Sequence, residues 1–175
     1  MTAAESRQEV SDGLAHLNGL PAEAARRLLL DCCASPHWAG VLLAGRPYAS
    51  GAGLLQCSDE AVASLTPADL RDALAGHPRI GARAGAAGTR SRQEQAGVAG
   101  ADEATLRELA AGNRAYEQRF GHIYLVCATG RTAAELLAVL RARLANDPGT
   151  ECGVVRSELQ KINRIRLGKL LGGGG

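Results

Sequence analysis

Helix punctuation recurs along nearly the whole chain and leaves little room for other secondary structure. Thr66-Pro67-Ala68-Asp69 combines a cap, a proline at the first helical position and an acid at the third. Thr132 with Glu135 reads as a capping box for a helix carrying Leu136, Leu140 and Leu144. Ser11 is expected to cap a short helix to about Asn18. Pro21 suits the first turn of a second helix with Ala25, Leu28, Leu29, Cys32 and Cys33 on one face. Ser35-Pro36 opens a third, with Trp38, Val41 and Leu42 facing inward, and Ser58 is expected to cap a fourth that buries Val62 and Leu65. A long helix is predicted from about Asp102 to Arg119, with Leu106, Leu109, Ala110, Asn113, Tyr116 and Phe120 at helical spacing. Ile123 to Cys127 is short and apolar, compatible with a strand or with a buried turn into a helix, and Asp147-Pro148-Gly149 reads as a turn. The last helix runs to about Leu171.

Composition points the same way. Hydrophobic residues make up 46% of the 175, much of it alanine and leucine, while aromatics are only 3%. Strong helix formers dominate, so the expected fold is all-α, a single compact multi-helix domain of about eight helices. That domain is expected over 11–171, between a flexible N-terminus, 1–10, and a glycine tail, 172–175.

Charge and cysteine usage exclude several classes. With 20 basic and 18 acidic residues the net charge is +2, too balanced to argue for nucleic acid or an anionic membrane. The arginines between residues 79 and 92 form the one local basic cluster, read either as a solvated loop or as a small-anion site. No apolar run reaches the ~18 residues of a membrane span, and Met1 to Val10 lacks a signal-peptide core, so a cytoplasmic location is expected. The five cysteines include no Cys-x-x-Cys pair, which argues against a disulfide framework or a metal site and for buried, reduced thiols.

Few segments look equipped for chemistry. In Gly76-His77-Pro78-Arg79-Ile80-Gly81 the proline disfavours helical geometry at His77, so a helix ends there and its carbonyl dipoles favour a protonated imidazole. The glycines at 81, 85 and 88 make a flexible loop without the Gly-Lys-Ser/Thr ending of a phosphate loop. Ser91-x-x-Glu94 then reads as a capping box that leaves Arg92 and Gln95 exposed. His16 and His37 have no reactive neighbours and read as surface or packing residues. On the last helix, Val155, Leu159 and Ile162 form an apolar stripe that Arg166 continues, while Arg164 points to the polar side. An inward arginine requires an anionic partner or a satisfied network, unless it snorkels near a helix end.

Taken in order, these segments resemble one family. They are Leu17-Asn18-Gly19-Leu20-Pro21, Cys32-Cys33 with Trp38, Arg46-Pro47-Tyr48, His77-Pro78-Arg79-Ile80-Gly81 and Ser91-Arg92-Gln93-Glu94-Gln95-Ala96-Gly97. Asn113-x-x-Tyr116-x-x-Arg119-Phe120-Gly121, Cys127 and Glu158-Leu159-x-Lys161-Ile162-x-x-Ile165-Arg166-Leu167 follow. From about Leu14 to Leu170 the chain is similar to the 2-oxo-4-hydroxy-4-carboxy-5-ureidoimidazoline (OHCU) decarboxylases, which complete the conversion of urate to allantoin. The resemblance implies an all-α homodimer and a carboxy-lyase that needs neither cofactor nor metal. It makes His77 the catalytic acid/base and places Pro78 at the site. It gives ligand binding to Ser91, Glu94 and Gln95, main-chain contacts to the segment His122, Ile123, Tyr124, Leu125 and Val126, and a site role to Arg166. Some members read Phe-Gly-Phe-Pro-Phe where this chain has Phe120-Gly121-His122-Ile123-Tyr124, a departure that bears on side chains and leaves backbone contacts possible. Two other readings stay open: a decarboxylase of a related ureido or imidazoline acid, and a catalytically silent helical ligand-binding protein on the same scaffold.

Overall fold

The computed structural model describes residues 12–81, 93–98 and 100–172. Among them the regular elements are helical: α1 (12–19), α2 (Ala22–Cys32), α3 (Pro36–Ala44), α4 (Gly51–Ser64), α5 (Pro67–Ala75), a 3₁₀ turn (Ala96–Val98), α6 (Glu103–Phe120), α7 (Ala133–Arg143) and α8 (Pro148–Leu171). The all-α expectation holds. The expected N-terminal stretch 1–10, the Ser11 cap and residues 173–175 of the glycine tail lie outside the described residues. No described helix is long and apolar enough to cross a membrane.

The helix starts follow the local chemistry. Ser35 accepts from the Trp38 N–H at 3.2 Å with Pro36 at the first helical position, and Asp102 accepts from the Thr105 N–H at 2.8 Å. Thr132 and Glu135 close a reciprocal capping box. Thr66 and Asp69 do the same, the Asp69 N–H donating to Thr66 Oγ1 at 3.2 Å and the Thr66 N–H to Asp69 Oδ2 at 3.0 Å.

Three expectations are corrected. Ser58 does not cap a helix. The helix begins a full two turns earlier, where Ser50 accepts from the Gly53 N–H at 3.1 Å. Ser58 instead falls on the buried stripe of α4 with Leu54, Ala61 and Val62, and its hydroxyl accepts from the Trp38 indole N–H at 3.2 Å. Asp147-Pro148-Gly149 is not a free turn but the start of α8. Asp147 Oδ1 accepts from the N–H groups of Gly149 and Thr150, and Pro148 takes the first helical position, where a missing N–H costs nothing. Ile123 to Cys127 is irregular, neither the strand nor the turn of the two readings: no described segment pairs with its backbone, and the turn that leads to α7 comes only at 129–130.

The chain divides into two compact units. The first comprises Met1–Ala73 with Gln160–Gly175. Its core holds Leu17, Leu29, Trp38, Leu42, Leu54 and Leu167, all fully buried. Arg46 Nη1 donates to the carbonyls of Leu17 and Leu20 at 2.7 and 2.9 Å, a cation placed where α1 leaves carbonyls unpaired. Gly13 lies so close to the end of α8 that a Cβ there would stand 1.9 Å from the Leu171 carbonyl oxygen.

The second unit is Leu74–Leu159. Leu109 and Tyr116 of α6, Leu136 and Leu140 of α7, and Tyr124 and Val126 between the two helices form its core. α6 ends at Gly121, whose φ of +74° is left-handed and natural only for glycine. A charged group sits inside this unit: Arg143, at the end of α7, is buried against Glu151 of α8, with Nε 2.8 Å from Glu151 Oε1.

The two serines of α4 separate by stability. Ser58→Ala leaves a buried indole N–H unsatisfied and is expected to cost about 1–3 kcal/mol, against about 1 kcal/mol for Ser50→Ala at the exposed cap. Urea unfolding of both variants measures the difference, and equal losses would mean that the Ser58–Trp38 hydrogen bond adds nothing beyond a cap.

Candidate active site

His77 sits where α5 has run out. Its N–H donates to the Leu74 carbonyl at 3.0 Å, closing a last tight turn, and Pro78 then turns the chain away. Both side chains are half-buried. The backbone that follows is held from three directions. Asn113, buried on α6, donates from Nδ2 to the Ile80 carbonyl at 3.0 Å. Gln95 Oε1 accepts from the Gly81 N–H at 3.1 Å, and its Nε2 lies 3.5 Å from the Arg79 carbonyl. Arg79 itself makes a two-pronged pair with Glu117, at 2.6 and 2.8 Å, on the exposed side. Gly81 adopts a φ of +76°, so the loop reverses at a residue with no side chain to strain.

Glu94 and Gln95 belong to a short helical turn just before Ala96–Val98. The Ser91 half of the expected capping box, Arg92 and the glycine loop at 82–90 lie outside the described residues. Gln95 reaches toward the loop that leaves His77 and Pro78. Glu94 is half-buried, and its charge is felt at Cys127. Burial pushes the Cys127 thiol up, the carboxylates of Glu158 and Glu94 add to that, and the Thr129 backbone and Arg131 oppose it. Gln95 thus touches the histidine loop, and the Glu94 charge lies near enough to Cys127 to raise its thiol pKa.

That segment is the unusual part of the second unit. Tyr124, Leu125 and Val126 are buried, yet among the described residues nothing accepts from the N–H groups of Ile123, Tyr124, Leu125 or Val126. Buried backbone donors are normally satisfied, so an unspent row of them marks a place for water or a ligand. The side chains are committed elsewhere. Tyr124 points into the core and donates from its hydroxyl to the Leu136 carbonyl at 3.1 Å. The His122 ring stands edge-on to Tyr116 at 5.5 Å, and its Nδ1 lies 3.0 Å from the Ile123 carbonyl oxygen. The Tyr124 and His122 side chains are thus occupied within the protein.

Arg166 belongs to the first unit. It is buried, as the stripe with Val155, Leu159 and Ile162 requires, and Nη1 donates to the Cys32 carbonyl at 2.8 Å. Arg164 faces the other way and pairs with Asp59. His16 and His37 are exposed, and none of the five cysteines is disulfide-bonded. Among the described residues no three His, Cys, Asp or Glu side chains are placed to hold a metal ion.

The sequence alone assigns no role to Arg143, Glu151 or Glu158, and none to Asn113 in holding the loop. A signal existed for two of them. Glu151 lies four residues before Val155, on the stripe that ends at Arg166, and Arg143 follows Leu136 and Leu140 on the inner face of α7. Both break an apolar stripe as Arg166 does.

Comparison with known proteins supplies a lineage for this arrangement. The OHCU decarboxylase family profile matches residues 18–168. The chain is 32% identical over 145 residues to the Arabidopsis thaliana uric acid degradation bifunctional protein TTL, a match covering 79% of this chain and 45% of that protein. It therefore spans less than half the length of that plant relative. It is 31% identical to the 2-oxo-4-hydroxy-4-carboxy-5-ureidoimidazoline decarboxylase of Amia calva, over 75% of this chain and 78% of the relative. Among solved structures, an OHCU decarboxylase crystallised in the presence of (S)-allantoin superposes with a TM-score of 0.71 at 30% identity, covering 81% of this chain and 95% of that one. An (S)-allantoin synthase structure shares the fold, with a TM-score of 0.67 at 19% identity over 88% of this chain and 52% of that one.

The environment of Cys127 is checkable. Its alkylation by iodoacetamide, followed on the Cys127 peptide by mass spectrometry, is expected to have a midpoint above the ~8.5 of an ordinary thiol. Glu94→Gln removes one of the charges that hold the thiol up and is expected to move that midpoint down. An unchanged midpoint would place Glu94 away from this corner.

Proposed function

The chain belongs to the OHCU decarboxylase family, and from that membership we propose that it converts 2-oxo-4-hydroxy-4-carboxy-5-ureidoimidazoline to (S)-allantoin, a cofactor-independent carboxy-lyase step of urate degradation. The observation that carries the reading is the row of unspent N–H groups at Ile123 to Val126. A ureido compound presents alternating carbonyl and N–H groups, and a backbone edge with unspent donors is complementary to it.

The chemistry asks little of the protein. The substrate's carboxylate sits on a carbon that also bears a hydroxyl and adjoins a C=N carbon. When the carbon–carboxyl bond breaks, its electron pair forms a carbon–carbon double bond and the C=N pair moves onto nitrogen, which takes a proton. The hydroxyl then loses its proton to become the ring carbonyl, and the former imine carbon gains one. The substrate is its own electron sink. In this reading His77 moves the proton, with an imidazole suited to both giving and taking one near neutrality. Pro78 lines the site beside it, and Glu94 accepts from ureido N–H groups. Gln95 has already spent its carbonyl on Gly81, which leaves it a partial ligand role. Ser91 and Arg166 keep their ligand roles from the family resemblance alone. A single donor on one face makes the product a single enantiomer. The proposal extends to a homodimer acting on a small molecule in the cytoplasm.

His77→Asn is expected to keep the fold and lose about 10²–10⁴ in rate. The assay generates the intermediate in situ from urate and follows the circular dichroism of the allantoin formed. Wild-type protein that fails to outrun the spontaneous reaction would leave the ligand-binding or related-acid readings in its place. Glu94→Ala separates capping from chemistry: a cap alone costs about 1 kcal/mol of stability with normal turnover, whereas the proposed ligand role lowers turnover as well.

A further inference from the structure

We infer that Arg143, Glu151 and Tyr116 form a positioning device that sets the register of the substrate-facing backbone at Ile123 to Val126. The inference rests on the proposed function for what that backbone faces, and on geometry for the rest.

A strand in a sheet is held in register by its neighbours. This segment has no such neighbour among the described residues, so side chains must hold it. Arg143 Nη1 donates to the Leu125 carbonyl at 2.6 Å, in the middle of the unspent row of N–H groups. The same guanidinium stands 4.9 Å from the centre of the Tyr124 ring. Its other donors are fixed: Nε on Glu151 Oε1 at 2.8 Å and Nη2 on the Tyr116 hydroxyl at 3.2 Å. Glu151 is fixed in turn by the Tyr116 hydroxyl and by Asn146 Nδ2 at 2.7 Å. At the far end of the segment Glu158 Oε2 accepts from the Cys127 N–H at 2.8 Å. The Leu125 carbonyl and the Cys127 N–H are thereby held by side chains from outside the segment, and the donors between 123 and 126 stay open. Stability alone is a poor reason for this arrangement, since a buried ion pair is commonly replaceable by apolar side chains without loss. Orientation of a polar backbone edge is something apolar side chains cannot supply.

The experiment uses Tyr116→Phe, which keeps the ring in the core and removes one hydroxyl, with Arg143→Lys as a second variant that keeps the charge and loses the fork. Two readouts are taken. Hydrogen exchange is expected to rise about tenfold or more at the Cys127 amide, the donor of this segment that a side chain holds, with the interior of α7 unchanged. In the decarboxylation assay KM is expected to rise about tenfold, with kcat held within about twofold. Exchange that is unchanged, or raised evenly through the unit, overturns the inference whatever the activity. Faster exchange confined to the segment with an unchanged KM also overturns it, because the network is then structural only. If wild-type protein shows no decarboxylation while exchange rises in the segment alone, the positioning stands and the functional reading fails.

Discussion

The Arg143 guanidinium, almost wholly removed from water, sets conditions that much of the 74–159 unit has to meet. Removing such a cation from water costs several kcal/mol unless its donors are matched. The acceptors come from different parts of the chain: a carboxylate at the start of α8, a phenol on α6 and a carbonyl in the segment between α6 and α7. Three pieces of backbone are thus fixed relative to one side chain. Tyr116 also belongs to the apolar core with Leu109, Leu136 and Leu140, so core packing and the polar network share a member. A disturbance of either reaches the other.

In the proposed reading, chemistry and local structure coincide at helix ends. His77 lies just past the C-terminus of α5, where a proline stops the helix. Glu94 and Gln95 lie in the short turn that precedes Ala96–Val98. In that reading Gln95 serves both purposes. Its carboxamide holds the Gly81 N–H, and in doing so it fixes the loop that leads away from His77. The functional group and the scaffold that aims it are separated by only a few bonds.

Much of this was legible in the sequence. The capping box at Thr132 and Glu135, the Thr66-Pro67 start and the histidine at a forced helix end all follow from interactions within a few residues, and the structure shows each of them. Ser58 misled because a serine near a helix looks like a cap by local rules. Only the fold brings the Trp38 indole beside it, twenty residues away in sequence. Arg166 was found as a charge on an apolar stripe. The same test applied to α7 and to the first turns of α8 finds Arg143 and Glu151, two opposite charges that each need a partner. The unspent donors of Ile123 to Val126 were beyond reach, since every residue but proline carries an N–H and only the fold decides which are used.

That last point also accounts for the departure from the family pattern at 122–124. Side chains in this segment answer to the core: Tyr124 packs beneath Arg143, and the His122 ring leans on Tyr116. Substitutions among residues of similar bulk are therefore judged by packing, while the main-chain donors persist. One position is different. Where some members carry proline, this chain has Ile123, and proline has no N–H to give. The donor at 123 cannot then be required across the family. Under the proposed function, the recognition edge narrows to Tyr124, Leu125 and Val126, centred on the residue whose carbonyl Arg143 holds. If the Ile123 N–H does bind a ligand here, it is an additional contact peculiar to chains without that proline.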